Sequence, residues 1–210
     1  MLLGSTGPLG REVLRNNKIK EVKLRAFARK PEALTDEKNC EYFEVVKGDV
    51  RDLNSLEKAL DGIDVVISTL GSKPFQKGVK DFHEEAATNL LKAMNSTGAH
   101  RIIAITGIGA GDSLGHGPLW YDKIIRPTVL KKVYDDKERM EEILQTSDLE
   151  WEIVRPGVLK NKSTGKAVKA IVNLKTDEKI ASISRADVAD FLLKEAIHPE
   201  HTGEIVHLYT

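Results

Sequence analysis

The stretch Gly4-Ser5-Thr6-Gly7-Pro8-Leu9-Gly10 decides the fold. Three apolar residues, Met1-Leu2-Leu3, lead into it, and Arg11-Glu12-Val13-Leu14-Arg15-Asn16-Asn17 follows with a helical pattern. A glycine-rich turn between a buried strand and a helix lets backbone approach a diphosphate closely. The helix then turns its free amides and positive end toward the phosphates. The spacing Gly-x-x-Gly-x-x-Gly is a variant of the dinucleotide-binding fingerprint. Such glycines also occur in ordinary turns. Here the reading gains weight from the motif's place at the head of an alternating strand and helix pattern.

That alternation runs down the chain. Val22 to Ala28 reads as the second strand, ending at Arg29-Lys30-Pro31, and Tyr42 to Lys47 as the third, closed by Gly48-Asp49. Asp52 caps a helix reaching about Leu60, and Asp64 to Ser68 is a short apolar run suited to a buried parallel strand. A helix follows from about Asp81 to Asn95, then a strand from Arg101 to Thr106. Lys131 to Thr146 is a charged helix with Val133, Met140, Ile143 and Leu144 for its buried face. Glu150 to Arg155 is the sixth strand, stopped by Pro156-Gly157. Short strands are expected at Lys166 to Val172 and Lys179 to Ile183, then a helix from Arg185 to Ile197 and a strand from Gly203 to Leu208.

The expected fold class is therefore α/β, a Rossmann-like doubly wound parallel sheet with helices on both faces. A small C-terminal region caps the carboxyl edge of the sheet, where ligands lie in this fold. No linker divides the chain, so residues 1–210 are expected to form one domain. The first strand has only three residues before Gly4. It is either short or preceded by residues ahead of Met1.

Composition narrows the partners. Lys+Arg and Asp+Glu both count 32, so the net charge is zero, and neither nucleic acid nor an anionic membrane is an expected partner. The only cysteine is Cys40, which rules out an intrachain disulfide. With no signal peptide and no apolar run long enough to span a bilayer, a cytoplasmic protein is expected, monomeric or a small homo-oligomer. Six histidines and one cysteine show no metal-ligand spacing, so no metal site is expected. Ser163-Thr164-Gly165-Lys166 lacks the upstream glycine of a phosphate loop, and there is no Gly-x-Ser-x-Gly elbow.

The end of the second strand selects the nucleotide. An acid there accepts from the 2′-hydroxyl of NAD, whereas a basic side chain pairs the 2′-phosphate of NADP. The strand ends Ala28-Arg29-Lys30 with no acid at the turn. Arg29 suits a two-pronged grip on phosphate, so NADP (as NADPH) is expected ahead of NAD. The plainer alternative is a solvated strand end.

The ordered set Gly4 to Gly10, Ala28-Arg29-Lys30-Pro31, Lys47-Gly48-Asp49-Val50, Ser68-Thr69-Leu70-Gly71, Ile105-Thr106-Gly107, Asp136-Lys137-Glu138, Val154-Arg155-Pro156-Gly157 and Ile183-Ser184-Arg185-Ala186-Asp187-Val188-Ala189 spans nearly the whole chain. It resembles the atypical short-chain dehydrogenase/reductase group, and within it the NAD(P)H-binding proteins around flavin reductase/biliverdin reductase B and the NmrA-like proteins. The resemblance implies that Gly4, Thr6, Gly7, Pro8 and Leu9 line the pyrophosphate and that Arg29 and Lys30 meet the 2′-phosphate. It implies Asp49 and Val50 beside adenine, and Ser68, Thr69, Leu70 and Gly71 along the ribose and pyrophosphate. Thr106 and Lys137 would lie near nicotinamide as weak proton donors, with Pro156 and Gly157 against the carboxamide. Read without the resemblance, Gly48-Asp49 and Pro156-Gly157 are strand-ending turns. Lys137 then belongs to a solvated charge run, and Asp187 caps or pins a helix start.

Better-known short-chain dehydrogenases pair a tyrosine with a lysine four residues on, which lowers the tyrosine pKa for proton transfer. Here Tyr134 and Lys137 are three apart, Glu138 stands four on from Tyr134, and Ile125 four on from Tyr121. The catalytic pair is absent. A reductase of a flavin, quinone or similar planar small-molecule acceptor tolerates this, because the nicotinamide carries the hydride and the protein mainly holds two rings together. A non-catalytic NmrA-like NADP-binding redox sensor is the alternative. A sugar-nucleotide epimerase would need more chain. The segment Gly107 to Pro127 is expected to shape the substrate side, with Trp120 and Tyr121 either stacking on a planar substrate or anchoring the loop in the core. His116 is a lone loop histidine, solvated unless it serves the reaction.

Overall fold

The computed structural model describes residues 1–20, 22–37, 42–72 and 81–210; Cys40 lies outside them. The strands are β1 (Leu2–Leu3), β2 (Leu24–Ala28), β3 (Phe43–Lys47), β4 (Val65–Ser68), β5 (Arg101–Ile105), β6 (Glu150–Pro156), β7 (Val158–Lys160), β8 (Lys169–Ile171), β9 (Ser182–Ser184) and β10 (Ile205–Tyr209). The helices are α1 (Pro8–Lys20), α2 (Leu53–Leu60), α3 (Phe82–Thr97), the short α4 (Arg126–Thr128), α5 (Lys131–Gln145) and α6 (Arg185–Ile197). Each of the expected strands and helices is present, with ends shifted by a few residues.

The main sheet runs β3-β2-β1-β4-β5-β6-β10-β8. Neighbours are parallel from β3 to β10, and only β8 is antiparallel, against β10. Strand order therefore reverses beside β1, where an α/β sheet opens its ligand crevice. Although β1 has two residues, it is fully used: Leu2 pairs with Ala26 and Ile67, and Leu3 with Phe27 and Ser68.

Adjacent apolar residues explain why both faces are covered. Successive side chains in a strand point to opposite faces. Leu3, Val66, Ile102 and Ile153 enter one core with α2, α3 and α5, through Leu56, Leu60, Leu90, Met94, Met140 and Leu144. Leu2, Ile67, Ile103 and Val154 enter the other with α1 and α6, through Leu9, Val13, Val188 and Leu192. Local signals set the helix starts. Asp52 caps α2 by accepting from the Asn54 amide at 3.1 Å. Ser184 caps α6 by accepting from the Asp187 amide at 3.1 Å, and the Asp187 carboxylate accepts from Ser184 in return at 2.6 Å.

The C-terminal region departs from expectation. The Lys166 to Val172 stretch yields β8, which extends the lateral edge of the sheet through β10 and does not cap its carboxyl edge. That edge is approached instead by the parallel pair of β7 and β9, and β7 has no counterpart in the sequence reading. A 3-10 helix over Pro31–Glu37 is likewise additional. No helix among the described residues is long and apolar enough to cross a membrane.

Candidate active site

A cleft of about 590 Å³ opens at the carboxyl ends of β1 and β4. Its floor is the glycine turn. Gly4 sits at φ +76°, and a Cβ there would lie 2.6 Å from the Thr69 carbonyl oxygen. A Cβ on Gly10 would lie 2.3 Å from the Gly4 carbonyl oxygen, so α1 is able to press onto the turn only because Gly10 is bare. The Gly7 amide donates to Gly4 O at 2.9 Å, and Thr69 donates twice to Leu3 O, from its amide at 3.0 Å and its hydroxyl at 2.9 Å. Pro8 occupies the first position of α1, and the first turn carries no acidic side chain. The positive end of the helix thus meets the cleft unopposed. A turn packed this closely under the N-terminus of α1 lets backbone line the cleft there and fits a pyrophosphate.

The cleft gathers most of the expected residues. Gly4, Thr6, Gly7, Pro8 and Leu9 form one wall, Arg29 and Val50 one end, and Thr69, Leu70 and Gly71 the opposite wall; Thr106 and Lys137 close the far end. Five expected residues stand outside this lining. Ser68 is buried within β4 opposite Leu3. The Asp49 carboxylate accepts from the Arg51 amide at 3.1 Å, and Lys30 is exposed beyond Arg29. Pro156 is the last residue of β6, and the Gly157 amide donates to Leu208 O at 2.8 Å, which ties both into the sheet. The sequence reading gave no site role to Phe27, Ala28, Gly48, Ser72, Phe82, Ile105, Leu159 and Arg185, which also line the cleft.

Thr106 and Lys137 meet directly: Lys137 Nζ donates to the Thr106 carbonyl at 2.6 Å. Thr106 is buried, and its hydroxyl Oγ1 has no partner among the described residues. That orphaned hydroxyl at the far end suits a ligand's polar group. Burial lowers Lys137 to about 8, opposed by the charges of Glu141 and Asp136. Beside them Ser72 Oγ lies 3.1 Å from Nε2 of the fully buried His83. Burial and, secondarily, Lys137 push His83 down to about 3, so it is neutral at neutral pH.

The charge run on α5 is not a solvated face. Asp136 is 3% exposed and caps α3 from a distance, accepting from the His83 and Glu84 amides at 2.8 and 3.1 Å. Glu141 holds Arg155 through two hydrogen bonds of 3.1 and 2.6 Å, and Asp112 pairs the same guanidinium. Tyr134 is buried with its hydroxyl 2.6 Å from that of Tyr121, which reaches Ile108 O at 3.3 Å. Desolvation raises both phenols, Tyr134 the more strongly. Both stay neutral at neutral pH, and neither lines the cleft.

The Gly107 to Pro127 segment does not line the cleft. Tyr121 anchors it in a third apolar cluster with Ile108, Tyr134, Ile180 and Tyr209, whereas Trp120 is 54% exposed. His116 Nδ1 bonds Glu178 O at 2.8 Å and stands away from the lining. Among the described residues two acid-rich groups gather, Glu152 with Glu195 and His201, and Asp81 with Glu84 and Asp136. Each already faces an arginine, Arg101 and Arg139 respectively.

A parallel sheet in this order, with a bare glycine turn at its reversal point, defines a Rossmann-fold pyridine-nucleotide-binding protein. The family model described as NAD(P)H-binding matches residues 4–199, and the chain belongs to that family. It is 24% identical over 212 residues to YwnB of Bacillus subtilis, covering 97% of this chain and 94% of that protein. Among solved structures it is similar to ChuY, an anaerobillin reductase from Escherichia coli O157:H7, with a TM-score of 0.80 and 24% identity over 99% of this chain and 95% of that one. It also resembles a wide-type short-chain dehydrogenase/reductase from Veillonella parvula in complex with NADP, with a TM-score of 0.79 and 16% identity over 100% and 93% of the two chains.

Proposed function

We propose that this protein is an NADPH-dependent reductase of a flavin, quinone or similar planar acceptor. The observation that carries the reading is the continuous cleft from the glycine cradle to the Thr106–Lys137 end, with no tyrosine among the described residues of its wall. Bound NADPH supplies the hydride; the acceptor takes it together with a proton, and NADP is left. The chain's own residues bind and orient. The cradle and α1 would hold the pyrophosphate, Thr106 would offer its hydroxyl, and Lys137 or water would deliver the proton. The reductase activity of ChuY and the NADP held by the Veillonella protein support the reading. Mixing the protein with NADPH and a panel of flavins and quinones tests it. Loss of NADPH absorbance is expected, and no turnover with any acceptor contradicts it.

Arg29 at the end of β2 favours NADPH over NADH, with Lys30 beside it. Charge-assisted hydrogen bonds contribute about 1.5–3 kcal/mol. Arg29→Ala is therefore expected to weaken NADPH binding by roughly tenfold to a hundredfold and to change NADH binding little, as read by calorimetry. Equal losses for both cofactors would remove the assignment.

Lys137 gives the cleft a pH dependence. With its ordinary value lowered to about 8, the ammonium is present at neutral pH and is lost as pH rises through about 8. The charged form attracts the anionic cofactor, so NADPH affinity is expected to fall above that pH. A bound anion moves the midpoint upward. Lys137→Met flattens the profile; a fluorescence titration that keeps the same pH slope in this variant contradicts the role.

The sequestered Tyr134 favours a second reading, a regulator that binds NADP without turning it over. A regulator distinguishes oxidised from reduced cofactor by affinity and consumes no NADPH in the panel above. We place no nucleic acid or membrane among the partners, and a monomer or small homo-oligomer fits the neutral charge.

A further inference from the structure

His83 has no role in the preceding account, although it is the second residue of α3 and fully buried. Several contacts fix its position. Its amide donates to the Asp136 carboxylate at 2.8 Å, Phe82 meets the ring edge-on at a centroid distance of 5.2 Å, and Nε2 lies 3.1 Å from Ser72 Oγ. Nδ1 has no partner among the described residues. The neutral ring carries one hydrogen, on Nε2 or on Nδ1. On Nδ1 that hydrogen would be an orphaned buried donor, which folded proteins avoid more strictly than an unused lone pair. On Nε2 it is donated to Ser72 Oγ, and only the Nδ1 lone pair goes unused. The pattern of partners therefore assigns the hydrogen to Nε2. A serine hydroxyl has one hydrogen to give and two lone pairs to accept with. The imidazole occupies a lone pair, which leaves the hydrogen to be donated elsewhere. Ser72 lines the cleft, on the wall that begins at Thr69, and His83 is the partner of its hydroxyl among the described residues. The hydroxyl hydrogen is thus available to whatever fills the cleft.

We propose that Ser72 binds ligand in the cleft and that His83 is its positioning residue: the imidazole donates to Ser72 Oγ, and the hydroxyl is thereby committed to donate to a ligand oxygen that bears no hydrogen. Phosphate and carbonyl oxygens have that character. The oxygen belongs to the cofactor or to the second ligand beside it. The proposal rests on the cleft as the nucleotide site, goes beyond the reductase reading and requires no turnover.

Calorimetry separates the two sources. NADPH is titrated into the free protein, and riboflavin and a naphthoquinone into the protein loaded with NADP, where no hydride is available. Ser72→Ala is expected to weaken at least one of these by about threefold to tenfold, the worth of one neutral hydrogen bond, and the ligand that responds identifies the owner of the oxygen. His83→Leu is expected to give a similar loss, and His83→Gln, whose amide can place an N–H where Nε2 stood, to recover it. In the Ser72→Ala background His83→Leu is expected to weaken binding no further, because a residue that acts through Ser72 has nothing left to act on. Imidazole nitrogen NMR of the unsubstituted protein, with the His83 signal identified by its loss in His83→Gln, is expected to show the hydrogen on Nε2. A hydrogen on Nδ1 overturns the proposal, and so do unchanged affinities for every ligand in Ser72→Ala. A further loss on adding His83→Leu to Ser72→Ala overturns it as well, because His83 then acts on the fold alone. Should His83→Leu fail to fold, Ser72→Ala and the imidazole spectrum decide the matter. Every readout is binding or spectroscopy. Absence of turnover in the acceptor panel therefore leaves this proposal standing, and failure of this proposal leaves the reductase reading standing.

Discussion

Gly4→Ala is expected to weaken NAD(P)H binding by about a hundredfold or more while the protein stays folded. Two effects add. The residue sits at φ +76°, where a side chain costs roughly 1–2 kcal/mol. The new methyl also meets the Thr69 carbonyl oxygen at 2.6 Å, and that oxygen is backbone held by the β1–β4 junction. Relief requires β1 and β4 to part or the turn to tilt, and either opens the cradle. At about 1.4 kcal/mol per tenfold in affinity, some 3 kcal/mol of lost complementarity gives the stated factor. Calorimetry measures it, with circular dichroism to confirm the fold. An affinity within threefold of the unsubstituted protein would mean that the turn does not cradle the cofactor.

The second large effect lies outside the cleft lining, between α5 and β6. Arg155 and Glu141 are each 3% exposed in their side chains and meet through two hydrogen bonds. Glu141 and Asp112 keep the guanidinium charged against the cost of burial. His207, opposite Arg155 across the β6–β10 register, offers no compensation, because burial and Arg155 lower it to about 4 and it stays neutral. Glu141→Gln is therefore expected to lose about 3–5 kcal/mol of stability, because it leaves a buried cation with one partially exposed partner. Urea unfolding reads the loss directly. A double substitution, Glu141→Leu with Arg155→Met, is expected to recover much of it, since the penalty comes from the unpaired charge and not from the missing contact. A single variant that loses less than about 1 kcal/mol would show that water reaches the pair.

These two cases mark what local sequence carries and what it does not. The cradle was legible because its cause is local: strand, bare turn and helix follow one another within residues 1–17. The parallel strands were legible because buried strands are short apolar runs between turn residues, and α2 because its cap, Asp52, stands beside it; at α6 the sequence reading offered Asp187, whereas the cap is Ser184, with Asp187 bonded to it. The buried charges on α5 were not. Asp136 and Glu141 read as surface residues until partners far away in sequence, the α3 amides and Arg155, are brought to them. Strand β7 was missed because three residues carry no periodicity. Direction was missed for β8, since nothing in Lys169–Ile171 itself says which way it pairs. In the cleft, Arg29 was found from its place at the end of the second strand and Thr106 and Lys137 through the resemblance, whereas Ser72, Phe82, Leu159 and Arg185 arrive there by topology alone. The Ser184 cap was a usable signal for Arg185: a charged first helical residue just past a short strand is carried to the rim of the sheet.

The walls of the cleft are drawn from residues 4, 6–9, 27–29, 48, 50, 69–72, 82, 105–106, 137, 159 and 185. A ligand seated there would touch the opening glycine turn and the start of α6 at once. It acts as a clasp: the opening ten residues and the last helix can no longer loosen independently, and partial unravelling of either end has to break the same set of ligand contacts.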